Sequence, residues 1–255
     1  MKFSLKTHRG KRKDNQDYAG VFFNQSDLLL AVLCDGLGGH QAGDIASEMA
    51  VSQIGNAWES TEFTARDTYL IQNWLKESIN NENTRIFEAA NTYADLEGMG
   101  TTLVACVILK DKALISNIGD SRAYMYADGK MEQITQDHSF VSELQRQGAL
   151  TDDEASIHYN RNALTRSLGV EGEVEVDFFK KLIREIEIIM LNSDGLSNAV
   201  SEEEITQILK QQETSLDEKA EQLVNQAVEN EGSDNITVNL IDVRSMSTEE
   251  VGEKR

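Results

Sequence analysis

The 255-residue chain predicts an α+β fold, a four-layer α-β-β-α sandwich of two mostly antiparallel sheets flanked by helix pairs. One observation is a series of strand-like runs, several apolar on consecutive positions, which suits burial on both faces. A second is a set of segments whose apolar residues recur at helical spacing. The third is their order: strands arrive in hairpin-like groups with helices between and after them, which favours stacked sheets sheathed by helices over a strict βαβ alternation.

The elements follow in chain order. Residues 18–23 and 28–34 read as strands. Ala42, Ile45, Ala46, Met49, Ala50, Ile54 and Ala57 form one helical stripe, and Ile71, Trp74, Leu75, Ile79 and Ile86 form a second. Strands are expected at 101–109, 113–118, 122–126, 174–179 and 185–191. Leu216, Ala220, Leu223, Val224 and Ala227 mark a third helix, and 236–243 closes the series as a strand. No composition break or repeat divides the chain, so residues 1–243 are expected to form one domain, with 244–255 as a flexible tail. Proline is absent altogether, which excludes proline-rich spacers.

Composition narrows the function classes. Forty-four acidic against 24 basic residues give a formal charge of −20, which argues against nucleic acid or an anionic membrane as partner, because those surfaces are read by basic patches. The N-terminus is basic but has no apolar run behind it, and no later run approaches the roughly eighteen apolar residues of a membrane span. The two cysteines, Cys34 and Cys106, lie in apolar stretches and read as buried thiols. A soluble cytoplasmic protein is expected.

Carboxylates provide the functional signal. Asp35, Asp120, Asp194 and Asp234 each close or open an apolar strand in a turn-like setting: Asp35-Gly36, Gly119-Asp120-Ser121, Asp194-Gly195 and Ser233-Asp234-Asn235. Singly, each is an ordinary turn former. Together they can converge on one rim of a sheet pair, where they repel one another unless cations bridge them. With no His-x-x-x-His, Cys-x-x-Cys or EF-hand spacing, the all-oxygen donor set suits Mg²⁺ or Mn²⁺ better than Zn²⁺. Paired hard cations serve in-line attack at phosphorus.

Eight motifs in order carry a family resemblance: "RKDNQD" (12–17), "DGLGGH" (35–40), "GMGTTLVA" (98–105), "NIGDSRAY" (117–124), "TQDHSF" (135–140), "LTRSLG" (164–169), "LNSDGLSN" (191–198) and "GSDNITV" (232–238). In these the chain resembles bacterial members of the metal-dependent protein phosphatase 2C family. The resemblance implies hydrolysis of phosphoserine and phosphothreonine in proteins by a metal-bridging hydroxide, with two to three Mn²⁺ or Mg²⁺ ions. It implies that Asp35 bridges two metals, that the Gly36 carbonyl binds the second, and that Asp194 and Asp234 are terminal ligands of the first. Asp120 with Asp194 matches a third metal site, and Asp17 an acid that holds metal-bound water. Arg12 matches the arginine that grips phosphate, a role suited to a guanidinium fork. Arg12, Asp35 and Asp194 are thus the expected catalytic residues.

Some positions stand apart. Leu37 occupies the place where many eukaryotic relatives carry a histidine, a candidate general acid, and bacterial relatives usually an apolar residue; His40 is the nearest histidine in sequence, read either as a proton source or as a helix-capping or surface residue. Residues 137–169 resemble the family's flap region. There Phe140, Val141 and Leu144 suit a short helix, and Arg161 or Arg166 could meet an anionic substrate. The expected partners are phosphorylated proteins, including a Ser/Thr kinase whose action the enzyme reverses, and the chain is expected to be monomeric. The alternatives are an anti-sigma-antagonist phosphatase and a non-catalytic metal-stabilised interaction domain.

Overall fold

The structure is a computed structural model that describes residues 1–38 and 42–244. In chain order it contains β1 (Lys2–His8), β2 (Asp17–Phe23), β3 (Leu29–Leu37), α1 (Ala42–Glu59), α2 (Thr68–Thr92), β4 (Gly100–Thr101), β5 (Leu103–Ile108), β6 (Lys112–Ile118), β7 (Arg122–Ala127) and β8 (Lys130–Gln133). There follow α3 (Phe140–Arg146), α4 (Asp152–Ser156), β9 (Asp177–Leu182), β10 (Ile188–Asn192), α5 (Asp194–Ser197), α6 (Glu202–Leu209), α7 (Leu216–Glu229) and β11 (Ile236–Asp242).

The strands form two sheets, β1-β11-β10-β7-β8 and β2-β3-β5-β6-β9, with β4 paired to the end of β3. Every pairing is antiparallel. Apolar side chains bury in three successive layers. Leu30, Val32, Leu103 and Ala105 pack under Ala46, Ile54, Ile71 and Leu75 of α1 and α2. Ala31, Leu33, Val104 and Ile115 meet Ala123, Ile189, Leu191 and Ile241 between the sheets. Tyr124, Met190, Val238 and Leu240 pack against Ile205, Ala220, Leu223 and Ala227 of α6 and α7. Because β3, β5 and β6 are covered on both faces, their sequences are continuously apolar instead of alternating. This is the four-layer α-β-β-α sandwich the sequence predicts.

Several elements differ from expectation. Strand β1 went unforeseen because, as an edge strand pairing only with β11, it buries Ser4 alone and shows no apolar run. The same holds for the polar edge strand β8. The expected strand at 101–109 is broken at Thr102, whose hydroxyl contacts Ser121 at 2.7 Å and accepts from the Asp35 amide at 2.9 Å. The strand expected at 174–179 begins later, at Asp177, because the Asn80 side chain takes both the amide and the carbonyl of Val174. Helix α6 carries a capping box of Ser201 and Glu204, a legible start signal that the apolar spacing alone missed. Cys34 and Cys106 are both buried and unpaired. Among the described residues no helix is long and apolar enough to cross a membrane. The expected tail falls almost wholly on 245–255, outside the described residues.

Candidate active site

The site begins with a cross-strand pair. In the β2–β3 register Asp17 lies directly opposite Asp35. Like charges in that relation destabilise a sheet, so the strands place two carboxylates where neither helps folding. Asp35 is not at a turn after its strand, as its Asp-Gly sequence suggests. It lies within β3, which runs on to Leu37 because β4 pairs with Gly36 and Leu37. The Thr102 hydroxyl accepts from the Asp35 amide, and the Thr101 hydroxyl donates to its carbonyl at 2.8 Å. Gly36 allows a close approach: a Cβ there would stand 2.1 Å from the carbonyl oxygen of Gly43 in α1.

The other sheet supplies Asp194 and Asp234. Asp194 opens α5 directly after β10, and a Cβ on the following Gly195 would stand 1.9 Å from the Asn235 carbonyl oxygen. Glycine therefore lets the Asp194 turn press against the Asp234-Asn235 turn. Asn235 fastens a third segment to the same place: its Oδ1 accepts from the Gln16 amide at 2.8 Å, and its Nδ2 donates to the carbonyls of Arg9 and Asp14 at 2.9 and 3.0 Å. The β1–β2 loop is thereby held on the rim. From it Arg12 donates through Nη2 to Asp234 Oδ2 at 2.8 Å and through Nε to the Ser233 carbonyl at 3.2 Å. Asp120 stands in the β6–β7 turn.

A cleft of about 700 Å³ is lined by Arg12, Asp120, Asp194 and Asp234, with Arg161 and Ser139 from the 137–169 segment. Asp17 and Asp35 do not line it but stand close enough to its acids to feel their charge. Burial, reinforced by Asp17 and Asp194, raises the Asp35 carboxyl well above the usual range. Asp17 and Asp120 are each pushed up to about 7, chiefly by burial, and for Asp120 next by the charge of Asp194. Asp194 is raised by burial and then by Asp234. Such a group gains by taking up protons or cations.

The donor chemistry fits hard divalent cations. Buried Oδ1 atoms of Asp17 and Asp194 have no hydrogen-bond partner among the described residues, and every carboxylate of the cluster offers oxygen, the ligand Mg²⁺ and Mn²⁺ prefer. Among the described residues, no three His, Cys, Asp or Glu side chains form a finished coordination group. Protein donors hold some of the oxygens: Ser193 donates to Asp17 Oδ2 at 2.7 Å, Asn198 to Asp194 Oδ2 at 3.0 Å, and Arg12 to Asp234.

A stability test follows from the raised acids. Above about pH 4 the unfolded chain has released protons that folded Asp17 and Asp120 keep up to about pH 7. These groups therefore lower stability as pH rises through that window. In the presence of a chelator the melting temperature is expected to fall from about pH 5 to about pH 8, less steeply in Asp17→Asn, and Mn²⁺ is expected to remove the difference between the two proteins. Identical slopes with chelator would contradict the linkage to Asp17.

Sequence reasoning brings Arg12, Asp17, Asp35, Gly36, Asp120, Asp194 and Asp234 to this end of the sandwich, and they assemble there. His40 lies outside the described residues. The expected short helix in the 137–169 segment is α3, and Arg161 lines the cleft. Arg166 instead pairs with Glu175 and Asp177 at 3.0 and 2.9 Å. Reasoning from sequence missed Ser193 and Asn235, although both stand beside motif aspartates, in "NSDG" and "SDN".

The family model described as Protein phosphatase 2C matches residues 6–230. The chain belongs to the protein phosphatase 2C family. It is 43% identical over 245 residues to the serine/threonine phosphatase stp of Listeria welshimeri, a match covering 95% of this chain and 96% of that protein. Among solved structures, the S. agalactiae serine/threonine phosphatase superposes with a TM-score of 0.89 at 40% identity, covering 94% of this chain and 98% of that one. The catalytic domain of the serine/threonine protein phosphatase PstP, in complex with two manganese ions, gives 0.78 at 31% identity over 94% and 97% of the two chains. This phosphatase 2C chain is accordingly an enzyme, a protein serine/threonine phosphatase of a metal-dependent family.

Proposed function

We propose that the cleft hydrolyses phosphoserine and phosphothreonine of cytoplasmic proteins by a metal-bridging hydroxide, reversing a bacterial Ser/Thr kinase, and that residues 1–243 form its single, monomeric catalytic domain. The observation that carries this reading is the convergence of Asp120, Asp194, Asp234 and Arg12 on one cleft, with the Asp17–Asp35 pair close enough to feel the charge of its acids. Two to three bound Mn²⁺ or Mg²⁺ ions would supply Lewis acidity and a nucleophilic hydroxide near neutral pH. Asp35, the Gly36 carbonyl, Asp194 and Asp234 are the proposed holders of the first two ions, and Asp120 with Asp194 of a third. Asp17, steadied by Ser193, would orient water at the first two through its free Oδ1.

Arg12 binds the phosphate. Its Nε and Nη2 are used on Ser233 and Asp234, which fixes the guanidinium plane at the mouth of the cleft. Charge-assisted bonds from that plane to phosphate oxygens hold the phosphorus in line and oppose the charge that grows on them. No side chain is needed as nucleophile. Leu37, half-buried at the end of β3, has no proton for the leaving oxygen.

The decisive experiment is hydrolysis of a phosphothreonine peptide with added Mn²⁺, with Mg²⁺, and with chelator. Turnover is expected with either ion and none with chelator, restored when the ion is returned. Turnover that persists in chelator after metal removal has been verified would overturn the proposal.

A further inference from the structure

We propose that His138 is a positioning residue of this phosphatase: by capturing both peptide groups of Gly119 it sets where the Asp120 carboxylate stands, with Asp177 and Arg166 holding its ring. The inference rests on the reading of Asp120 as a metal-site residue given above. It also assigns work to two motifs, "TQDHSF" and "LTRSLG", that the proposed chemistry leaves without any.

His138 is buried, 1% exposed, and does not itself line the cleft, although its neighbours Asp137 and Ser139 do. Its main-chain amide donates to the Gly119 carbonyl at 3.0 Å, and its Nδ1 accepts from the Gly119 amide at 3.1 Å. A peptide amide can only donate, so Nδ1 carries no proton and the neutral ring is protonated at Nε2. That proton goes to Asp177 Oδ2 at 3.1 Å. Arg166 then cannot donate to Nε2, although its Nη1 lies 3.4 Å away. It bonds Asp177 Oδ1 at 2.9 Å instead and pairs through Nη2 with Glu175. Burial lowers the pKa of the imidazole against the opposing pull of Asp177, in keeping with a neutral ring.

Gly119 needs such a clamp. It sits at φ +100°, and a Cβ there would stand 2.6 Å from the Thr102 side chain, so only glycine fits the turn, and glycine's backbone freedom leaves its conformation to be set by the hydrogen bonds it makes. The same short segment grips the far side of Asp120 as well. Asp137, next to His138, accepts from Arg122 Nε at 3.0 Å and Nη2 at 2.7 Å, and from Gln133 at 2.9 Å. Asp120 therefore stands between two anchored residues, Gly119 and Arg122, both tied to 137–138. The Thr165 amide bonds the His138 carbonyl at 2.8 Å, which connects the clamp to the segment bearing Arg166. An acid surrounded by like charges is displaced unless its backbone is fixed.

The test compares His138→Asn, His138→Gln, His138→Ala and Asp120→Asn in kcat and KM on one phosphopeptide at saturating Mn²⁺, with melting temperatures measured alongside. Asparagine places its amide oxygen where Nδ1 accepts, whereas glutamine reaches toward the Nε2 position. Asn is expected to stay within about threefold of wild type in kcat, while Gln and Ala lose about tenfold or more at nearly constant KM, the range typical of partners behind metal ligands. Equal kcat for Asn and Gln, or a loss that appears only in KM, overturns the proposal. Should the His138 variants melt below the assay temperature, Asp177→Asn decides: a kcat loss of at least about threefold at constant KM supports it and none overturns it. If Asp120→Asn itself turns over like wild type, the reading of Asp120 fails. If Asp120→Asn is impaired and His138→Gln is not, the clamp alone fails.

Discussion

Asp35→Asn and Asp194→Asn are each expected to abolish metal-dependent hydrolysis while the protein stays folded, and in the absence of metal to melt no lower than wild type. The activity loss follows from the proposed bridging and terminal roles. Metal stabilisation of charge at phosphorus is worth several kcal/mol, and each 1.36 kcal/mol is a factor of ten, so a fall of roughly 10³-fold or more is expected. The stability half comes from the opposite sign of the same charges. Burial and neighbouring acids raise both carboxyls, which means that the ionised form costs folding free energy above the ordinary carboxylate range. A neutral amide of the same shape removes that cost. Stability given up for a charged site is a familiar exchange. Two measurements settle it: phosphopeptide turnover, and melting at about pH 7.5 with chelator. Wild-type-like turnover in either variant would sink the two-metal proposal, and a large drop in the chelated melting temperature would show that the carboxylates are structural.

Much of this arrangement is legible in the sequence, and the parts that are not share a physical cause. Residues 17, 19 and 21 alternate on one face of β2, and 31, 33 and 35 on one face of β3. Ala31 and Leu33 bury in the layer between the sheets and the half-buried Ala19 and Val21 pack against it, and their pairing, Ala19 with Leu33 and Val21 with Ala31, forces Asp17 opposite Asp35. The apolar pattern thus sets the register, and the register sets the carboxylate pair. Reading Asp35 as a turn residue failed because the sequence Asp-Gly does not reveal that β4, more than sixty residues later, extends the strand. Strands β1 and β8 lack an apolar signature because they are edges. Ser193, Asn235 and His138 escaped notice because their value lies in what they touch: an aspartate Oδ2, two loop carbonyls and the peptide of Gly119. None of these partners is near in sequence, and hydrogen-bond hubs leave no period to detect. The Ser201–Glu204 and Ser215–Glu218 capping boxes, by contrast, were present in the sequence in full.

Arg12→Ala is expected to raise KM for a phosphopeptide by about 10- to 100-fold, the loss of a charged hydrogen bond of about 1.5 to 3 kcal/mol, with a smaller change in kcat. Lys11→Ala supplies the contrast. Lys11 pairs with Glu231 at 3.2 Å, but both side chains are more than half exposed, at 56% and 84%, and such pairs contribute between nothing and about 1 kcal/mol. Its removal is expected to leave KM within about threefold. A second consequence separates Arg12 from a diffuse basic field. Because its Nη2 holds Asp234 Oδ2 at 2.8 Å, the guanidinium competes with any cation for that carboxylate. Arg12→Ala is therefore expected to bind Mn²⁺ at least as tightly as wild type in calorimetric titration, even as it loses grip on phosphate. Arg12→Lys, which keeps the charge but not the planar fork, is expected to fall between Arg12→Ala and wild type in KM. Equal KM changes in Arg12→Ala and Lys11→Ala would reduce Arg12 to one charge among several, and weaker Mn²⁺ binding in Arg12→Ala would mean that the arginine helps to assemble the metal site instead of competing for Asp234.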